Sequence, residues 1–401
     1  FKNLIIKDSI NKYNHFAEIK DTQILISIIN LQKKEDLNFL KIKFVDSVVN
    51  LDMNKFENYK NIFSKKNNSL PIIFRDGEIK FFDKKKQITI IKKIDMRYQS
   101  NKDITEMILE GRIIGDDLSL VYKDKKNNSK IFTLKLSNLG LSAKVEAEDQ
   151  KNDELSGNFS FKKDKNKLLG IFDKKKEKII IKHSNLRNPF LDGKIDGEIK
   201  FLPFFDFDLN LNLNSLNFNK LYTLLSNLNE EERKKLFKIN KKINGKVNLT
   251  INKIFSKHTL INSLESEIKF INGDIYFERA LLNLGKLGAA DLYGAIKNDK
   301  KFTNFKFEKN IFVDNLKKFY NKFNIYNKEK VPYSLFVSGV IDLTNFNLRL
   351  NEISSSDKFK EDDVLYIEKE FNDILLEDGY STLLNFKKIK EFMQLVATET
   401  N

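Results

Sequence analysis

From Phe205 to Asn214 the chain alternates without a break. Phe205, Phe207, Leu209, Leu211 and Leu213 project to one side, and Asp206, Asp208, Asn210, Asn212 and Asn214 to the other. A period of two held this long predicts a half-buried strand and fits no helix. The same pattern returns at Val247, Leu249 and Ile251 against Lys246, Asn248, Thr250 and Asn252, and at Phe346, Leu348 and Leu350 against Asn345, Asn347, Arg349 and Asn351. Phe132, Leu134 and Leu136 open a further run, and Leu141, Ala143, Val145 and Ala147 continue it with opposite parity. The parity change predicts a turn or bulge near Asn138-Leu139-Gly140.

A second regularity is a polar residue, then glycine, then a strand. Asp76-Gly77-Glu78-Ile79-Lys80-Phe81, Ser156-Gly157, Asp192-Gly193, Asn244-Gly245, Asn272-Gly273-Asp274-Ile275-Tyr276-Phe277 and Ser338-Gly339-Val340-Ile341-Asp342-Leu343 all follow it. Asn-Gly and Asp-Gly supply the positive φ of tight hairpins, so these units read as a long antiparallel meander. Their spacing is irregular, which excludes a fixed-length repeat. Helices are predicted at Asn54 to Lys65, along the stripe Leu221, Leu224, Leu225 and Leu228, and after Asn229, an N-cap followed by Glu230, Glu231 and Glu232. Asp314 is predicted to cap another, carrying Leu316, Phe319, Tyr320 and Phe323. After the linker Ser354-Ser355-Ser356, helices are expected from Val364 to Leu375, stopped by Gly379, and from Thr382 to Val396. The domain reading is an elongated β region over 1–350 and a linker with C-terminal helices over 351–401.

Composition adds little chemistry. Lysine and arginine exceed the acids by 15. The lysines fall in short runs at expected turns, Lys84 to Lys86, Lys125-Lys126, Lys174 to Lys176 and Lys300-Lys301, which reads as solvated turns and not as a nucleic-acid patch. The recurrence of such runs leaves room for anionic lipid headgroups. Cysteine is absent, so no thiolate does chemistry here. No apolar run is long enough for a membrane-spanning helix. The chain opens on Phe1, which reads as a fragment or processed form.

His15, His183 and His258 are far apart and make no metal-binding spacing. No phosphate loop or nucleophile elbow occurs, and the glycines of Leu284 to Ile296 read as a turn between strands. Asp206 and Asp208 share a strand face about 7 Å apart, a spacing open to a carbohydrate-active pair or a calcium site. They also continue into Asn210, Asn212 and Asn214, as a solvated outer face does. No cofactor is expected.

The information therefore lies in the apolar faces, each of which must be covered. A second sheet, helices, membrane lipid around a barrel, or a bound apolar ligand would each do. Strands of uneven length, inserted helices and the lack of aromatic girdles argue against the membrane barrel. The polar–Gly–strand units, with Leu284-Gly285-Lys286-Leu287-Gly288-Ala289-Ala290-Asp291-Leu292-Tyr293-Gly294-Ala295-Ile296, resemble the AsmA-like family of Gram-negative envelope proteins over most of 70–350. The helical tail from about Glu361 has no counterpart in that pattern.

The resemblance implies a mostly β fold, a long curved antiparallel sheet shaped like a gutter, with a few inserted helices and a helical C-terminal tail. It implies a non-enzymatic periplasmic protein, anchored in the inner membrane by a segment outside this chain, that moves or organises phospholipid or another envelope lipid. An acyl chain in water costs roughly 10 kcal/mol at about 0.8 kcal/mol per methylene, and an apolar trough removes most of that. The expected groove residues are Phe205, Phe207, Leu209, Leu211, Leu213, Val247, Leu249, Ile251, Ile275, Phe277, Ile341 and Leu343. The rival expectations are an envelope scaffold of closed β-sandwich domains and a carbohydrate-active enzyme using Asp206 and Asp208.

Overall fold

The computed structural model describes residues 1–7, 15–27, 39–55, 70–83, 86–125, 128–150, 154–200, 205–229, 231–232, 238–255, 260–298, 303–343, 345, 347–355, 359–378 and 385–399. Lys84, Lys85, Lys126, Glu230, His258, Lys300, Lys301, Phe346, Ser356 and Gly379, residues 56–65 of the first expected helix and the start of the last at Thr382 lie outside them. The protein is mostly β, with 67% of residues in strand, and its sheet is mixed and not closed into a barrel. The chain divides into two compact units, Phe1–Asp173 and Lys174–Asn401.

In the first unit β1 (Lys2–Lys7), β2 (His15–Ile26), β3 (Phe39–Asp52), β4 (Ile72–Asp83), β5 (Lys86–Ser100), β6 (Ile104–Ile113), β7 (Asp116–Lys125), β8 (Ser129–Leu136), β9 (Leu141–Asp149) and β10 (Leu155–Lys163) pair in sequence order. β11 (Asn166–Lys175) follows. The turn expected near Asn138-Leu139-Gly140 spans 137–140 and joins β8 to β9. A line of bulges crosses the middle of this sheet: Asp46, Asp76 and Lys93 take positive φ in the neighbouring strands β3, β4 and β5. Asp95 braces it, accepting from Arg75 Nη1 at 2.6 Å and from the Asp76 amide at 3.2 Å. Stacked bulges bend and twist a sheet locally. On the apolar side Ile91, Ile94, Leu109 and Leu118 form the core.

The second unit holds β12 (Lys178–Arg187), β13 (Leu191–Lys200), β14 (Asp206–Asn217), β15 (Gly245–Ile251), β16 (Ile254–Phe255), β17 (Ser263–Ile271), β18 (Asp274–Asn283), β19 (Gly288–Asn298), β20 (Thr303–Val313), β21 (Tyr333–Asp342) and β22 (Asn347–Ser354). Helix α1 (Phe218–Ser226) follows β14, α2 (Leu316–Lys322) follows β20, and α3 (Glu361–Asp378) and α4 (Phe386–Glu399) follow β22. All eleven strands pair within one sheet, so this unit is not a two-sheet sandwich.

The meander is not wholly antiparallel. β3 pairs with β4, and β14 with β15 and β16, in parallel. Parallel neighbours need a crossover of a dozen or more residues, and the segments 53–71 and 218–244 provide it. Alternating sequences look the same in either direction, so only the length of the connection separates the two cases. The Asn229 cap is present as a reciprocal pair, with the Glu232 amide donating to Asn229 Oδ1 and the Asn229 amide to Glu232 Oε2, both at 2.9 Å. The cap of α2 falls one residue later than Asp314, at Asn315, whose Oδ1 accepts from the Lys318 amide.

The glycine units also need correcting. Asn272-Gly273 is a hairpin turn, with φ of 52° and 91°. Gly77, Gly157, Gly193 and Gly339 instead lie inside strands. Several of these glycines make room for a neighbouring aromatic ring. A Cβ at Gly245 would stand 2.6 Å from the Phe207 ring, one at Gly294 2.7 Å from Phe305, and one at Gly339 3.2 Å from Phe307. Glycine at these positions thus leaves space for the backbone and a phenylalanine ring of a neighbouring strand.

Candidate functional site

Register places the apolar residues of the second unit in transverse rows on one face. One row runs Leu211, Leu249, Ser266, Ala280, Leu292, Lys309, Val337 and Ile353 across β14, β15, β17, β18, β19, β20, β21 and β22. The next runs Leu209, Val247, Ile268, Phe277, Gly294, Phe307, Gly339 and Leu350 over the same strands. Seven strand spacings of about 4.8 Å make each row roughly 34 Å long.

The two rims of this face are sealed, and its middle is sealed only in places. At one rim Leu213, Leu216, Ile251 and Ile254 are buried beneath Phe218 and Leu221 of α1. At the other Ile275, Ile296 and Leu343 are buried with Ile239 beside them. Between them Leu209, Leu211, Val247, Leu249, Ile268, Phe277, Leu292, Phe307, Val337 and Leu350 are only half-buried, while Ser266, Ala280 and Ile353 of the first row are buried. Among the described residues just three phenylalanines are buried, Phe159, Phe172 and Phe323.

Of the expected groove residues, Leu213, Ile251, Ile275 and Leu343 belong to the sealed rims. Leu209, Leu211, Val247, Leu249 and Phe277 lie in the half-open rows. Phe207 and Ile341 sit nearer the second rim, and Phe205 packs on Phe207 at 6.0 Å between centroids.

The opposite face is a lattice of paired polar groups. Lys246 meets Glu267 at 3.2 Å, and Lys269 lies between Glu267 and Glu278 at 3.7 and 3.2 Å. Asn248 Nδ2 donates to Asn210 Oδ1, and Asn210 Nδ2 to Asp196 Oδ2, each at 2.9 Å. Much of the lysine therefore sits in strands opposite acids, beyond the turns where the runs placed it. Asp206 and Asp208 border an open hollow of about 500 Å³ with Glu198, Lys200, Asn210 and Asn248. Among the described residues no group of three or more acidic or histidine side chains is placed to hold a metal ion. Asp116 has a structural task, since its carboxylate accepts from the Asn138 and Leu139 amides at 2.8 and 3.0 Å and holds the β8–β9 turn.

No protein-family model, curated protein or solved structure matches this chain.

Lys309 is the residue that pattern reading passed over. Its strand alternates as Phe305, Phe307, Lys309, Ile311 and Val313, so a lysine occupies a place in an apolar row. Burial lowers its pKa from the ordinary lysine value, and no carboxylate counters that effect. Ser266, in the same row, is the one buried polar side chain of this face left without a hydrogen-bond partner among the described residues.

The C-terminal helices close one edge of the sheet. Asn372 and Glu368, one turn apart on α3, take the places of a further strand. The Leu348 amide donates to Asn372 Oδ1 at 2.6 Å, Asn372 Nδ2 donates to the Leu348 carbonyl at 2.8 Å, and the Leu350 amide donates to Glu368 Oε2 at 2.7 Å. Phe371 meets Phe392 of α4 edge-on at 5.3 Å, and Phe323 stacks on Phe386 at 5.8 Å. No helix among the described residues is long and apolar enough to cross a membrane.

Proposed function

We propose that this chain is a non-enzymatic lipid-shielding protein whose apolar sheet face takes up acyl chains of a phospholipid or another envelope lipid. The observation that carries the reading is the set of large apolar side chains, Leu209, Leu211, Val247, Leu249, Phe277, Leu292 and Phe307 among them, left half-buried in two rows across the second unit between sealed rims. A face meant only as core would bury its large apolar side chains in the middle and fray at its margins; here the large side chains of the middle are half-buried and those of the rims are buried. Phenylalanine rings laid over glycines make this floor smooth, which suits a flexible chain that slides better than a ligand held at one point. The resemblance to AsmA-like proteins supports a place in the periplasm, with anchorage to the inner membrane through a segment outside this chain. Lipid transport or outer-membrane assembly is the corresponding role.

Native mass spectrometry of protein purified from a phospholipid-containing host tests the reading. Bound phospholipid is expected in the wild type and its loss in Leu211→Glu. Protein that is lipid-free from such a host, with the fold intact, would sink it.

A further inference from the structure

Lys309 is a charge in the wrong place for a passive greasy surface. Its neighbours along β20 are Phe307 and Ile311, and across the sheet Leu292 on β19 and Val337 on β21. Among the described residues no carboxylate or hydrogen-bond acceptor meets its ammonium, while lysines on the opposite face are paired. The residue as a whole is half-buried, and the protein around its ammonium desolvates the charge. An unpaired charge held against apolar surface raises the free energy of the empty protein and is relieved by any anion that arrives there.

We propose, building on the acyl-chain reading above, that Lys309 is an anion-binding point within the apolar face and that its ligand is a long-chain carboxylate. The position selects the class. Lys309 lies inside the row, with three further strands carrying apolar residues beyond Leu292 on one side and two strands on the other. A head seated there must be small and singly charged, because its whole circumference faces hydrocarbon. A carboxylate fits those terms, with its chain lying along the row towards Ala280 and Leu249. A glycerophosphodiester with a second polar group would force that group into the apolar floor unpaired.

The experiment is displacement of a neutral naphthylamine dye from the full chain by oleate, by oleyl alcohol and by a lysophosphatidylcholine, in wild type, Lys309→Met and Lys309→Arg. In the wild type oleate is expected to bind at least about tenfold more tightly than the alcohol, the range for a hydrogen bond to a charged group. Lys309→Met should reduce oleate to the level of the alcohol and leave the alcohol unchanged, and Lys309→Arg should keep the preference. Equal oleate affinity in Lys309→Met and wild type, or a lysophospholipid that depends on Lys309 as strongly as oleate does, overturns the proposal while the apolar-face reading stands. Failure of dye and alcohol to bind at all overturns that reading and this inference with it. Far-ultraviolet circular dichroism of each variant reports that the sheet is intact.

Discussion

Replacing Leu211 by glutamate separates an open face from a closed core, because Leu213 two residues away provides the internal contrast. Leu211 is half-buried beside Ile195 and Leu249, whereas Leu213 is 3% exposed among Leu216, Ile251 and Ile254. Full burial of a leucine side chain is worth about 1.5–3 kcal/mol, so Leu211 loses about 1 kcal/mol, and its carboxylate keeps water on one side. Leu213→Glu loses the full amount and strands a carboxylate in a sealed site, for a total near or beyond about 5 kcal/mol, the lower end of a whole domain's stability. For a bound lipid the order reverses. A stretch of about four methylenes over Leu211 contributes roughly 3 kcal/mol, or about two orders of magnitude in affinity. Thermal unfolding by circular dichroism and lipid occupancy by native mass spectrometry read the two effects on the same samples. Leu211→Glu is expected to melt within a few degrees of wild type and lose its lipid, and Leu213→Glu to fail to fold. If Leu211→Glu unfolds as readily as Leu213→Glu, the middle rows are core and the reasoning is wrong.

Lys309→Met should raise the melting temperature of lipid-free protein. Burial holds the folded pKa of Lys309 below the ordinary lysine value of 10.5, so the folded state disfavours the protonated form. The wild type should therefore gain stability relative to Lys309→Met as pH rises from the folded pKa to 10.5 and carry its full deficit below that window, as paired denaturant titrations across alkaline pH will show. Tyr122 behaves oppositely: burial and Asp124 push its hydroxyl up to about 12, so the stability it contributes is present below pH 10 and lost towards pH 12, and Tyr122→Phe should flatten that loss. Gly245→Ala places a methyl 2.6 Å from the Phe207 ring at a φ of 151° and should cost more than about 2 kcal/mol in chemical denaturation. Removing both Glu368 and Asn372 side chains should lower stability by about 2–3 kcal/mol and produce concentration-dependent association on size exclusion, because the edge amides they bind become free.

Much of the fold was legible because the strands obey a period of two. β14, β15, β8 and β9 fall where Phe205 to Asn214, Val247 to Ile251, Phe132 to Leu136 and Leu141 to Ala147 placed them. Direction was not legible, since Leu209 beside Val247 in parallel reads the same as it would in an antiparallel pair. Neither were the in-strand glycines, whose Asp-Gly and Ser-Gly context imitates a turn while the group that needs the space, such as Leu213 at Gly193 or the Phe307 ring at Gly339, lies in another strand. Parity does reveal Lys309, but only once the Thr303 to Val313 register is known, because one lysine out of phase is invisible in a chain with 71 basic residues.

The pairing of β22 with side chains of α3 gives this sheet a terminus. A strand edge ordinarily invites another strand, from a second molecule or from a partner, and this one has spent its amides on Asn372 and Glu368. Strand addition is thus hindered at β22, so the extent of the apolar face on that side is set by the chain itself and not by assembly.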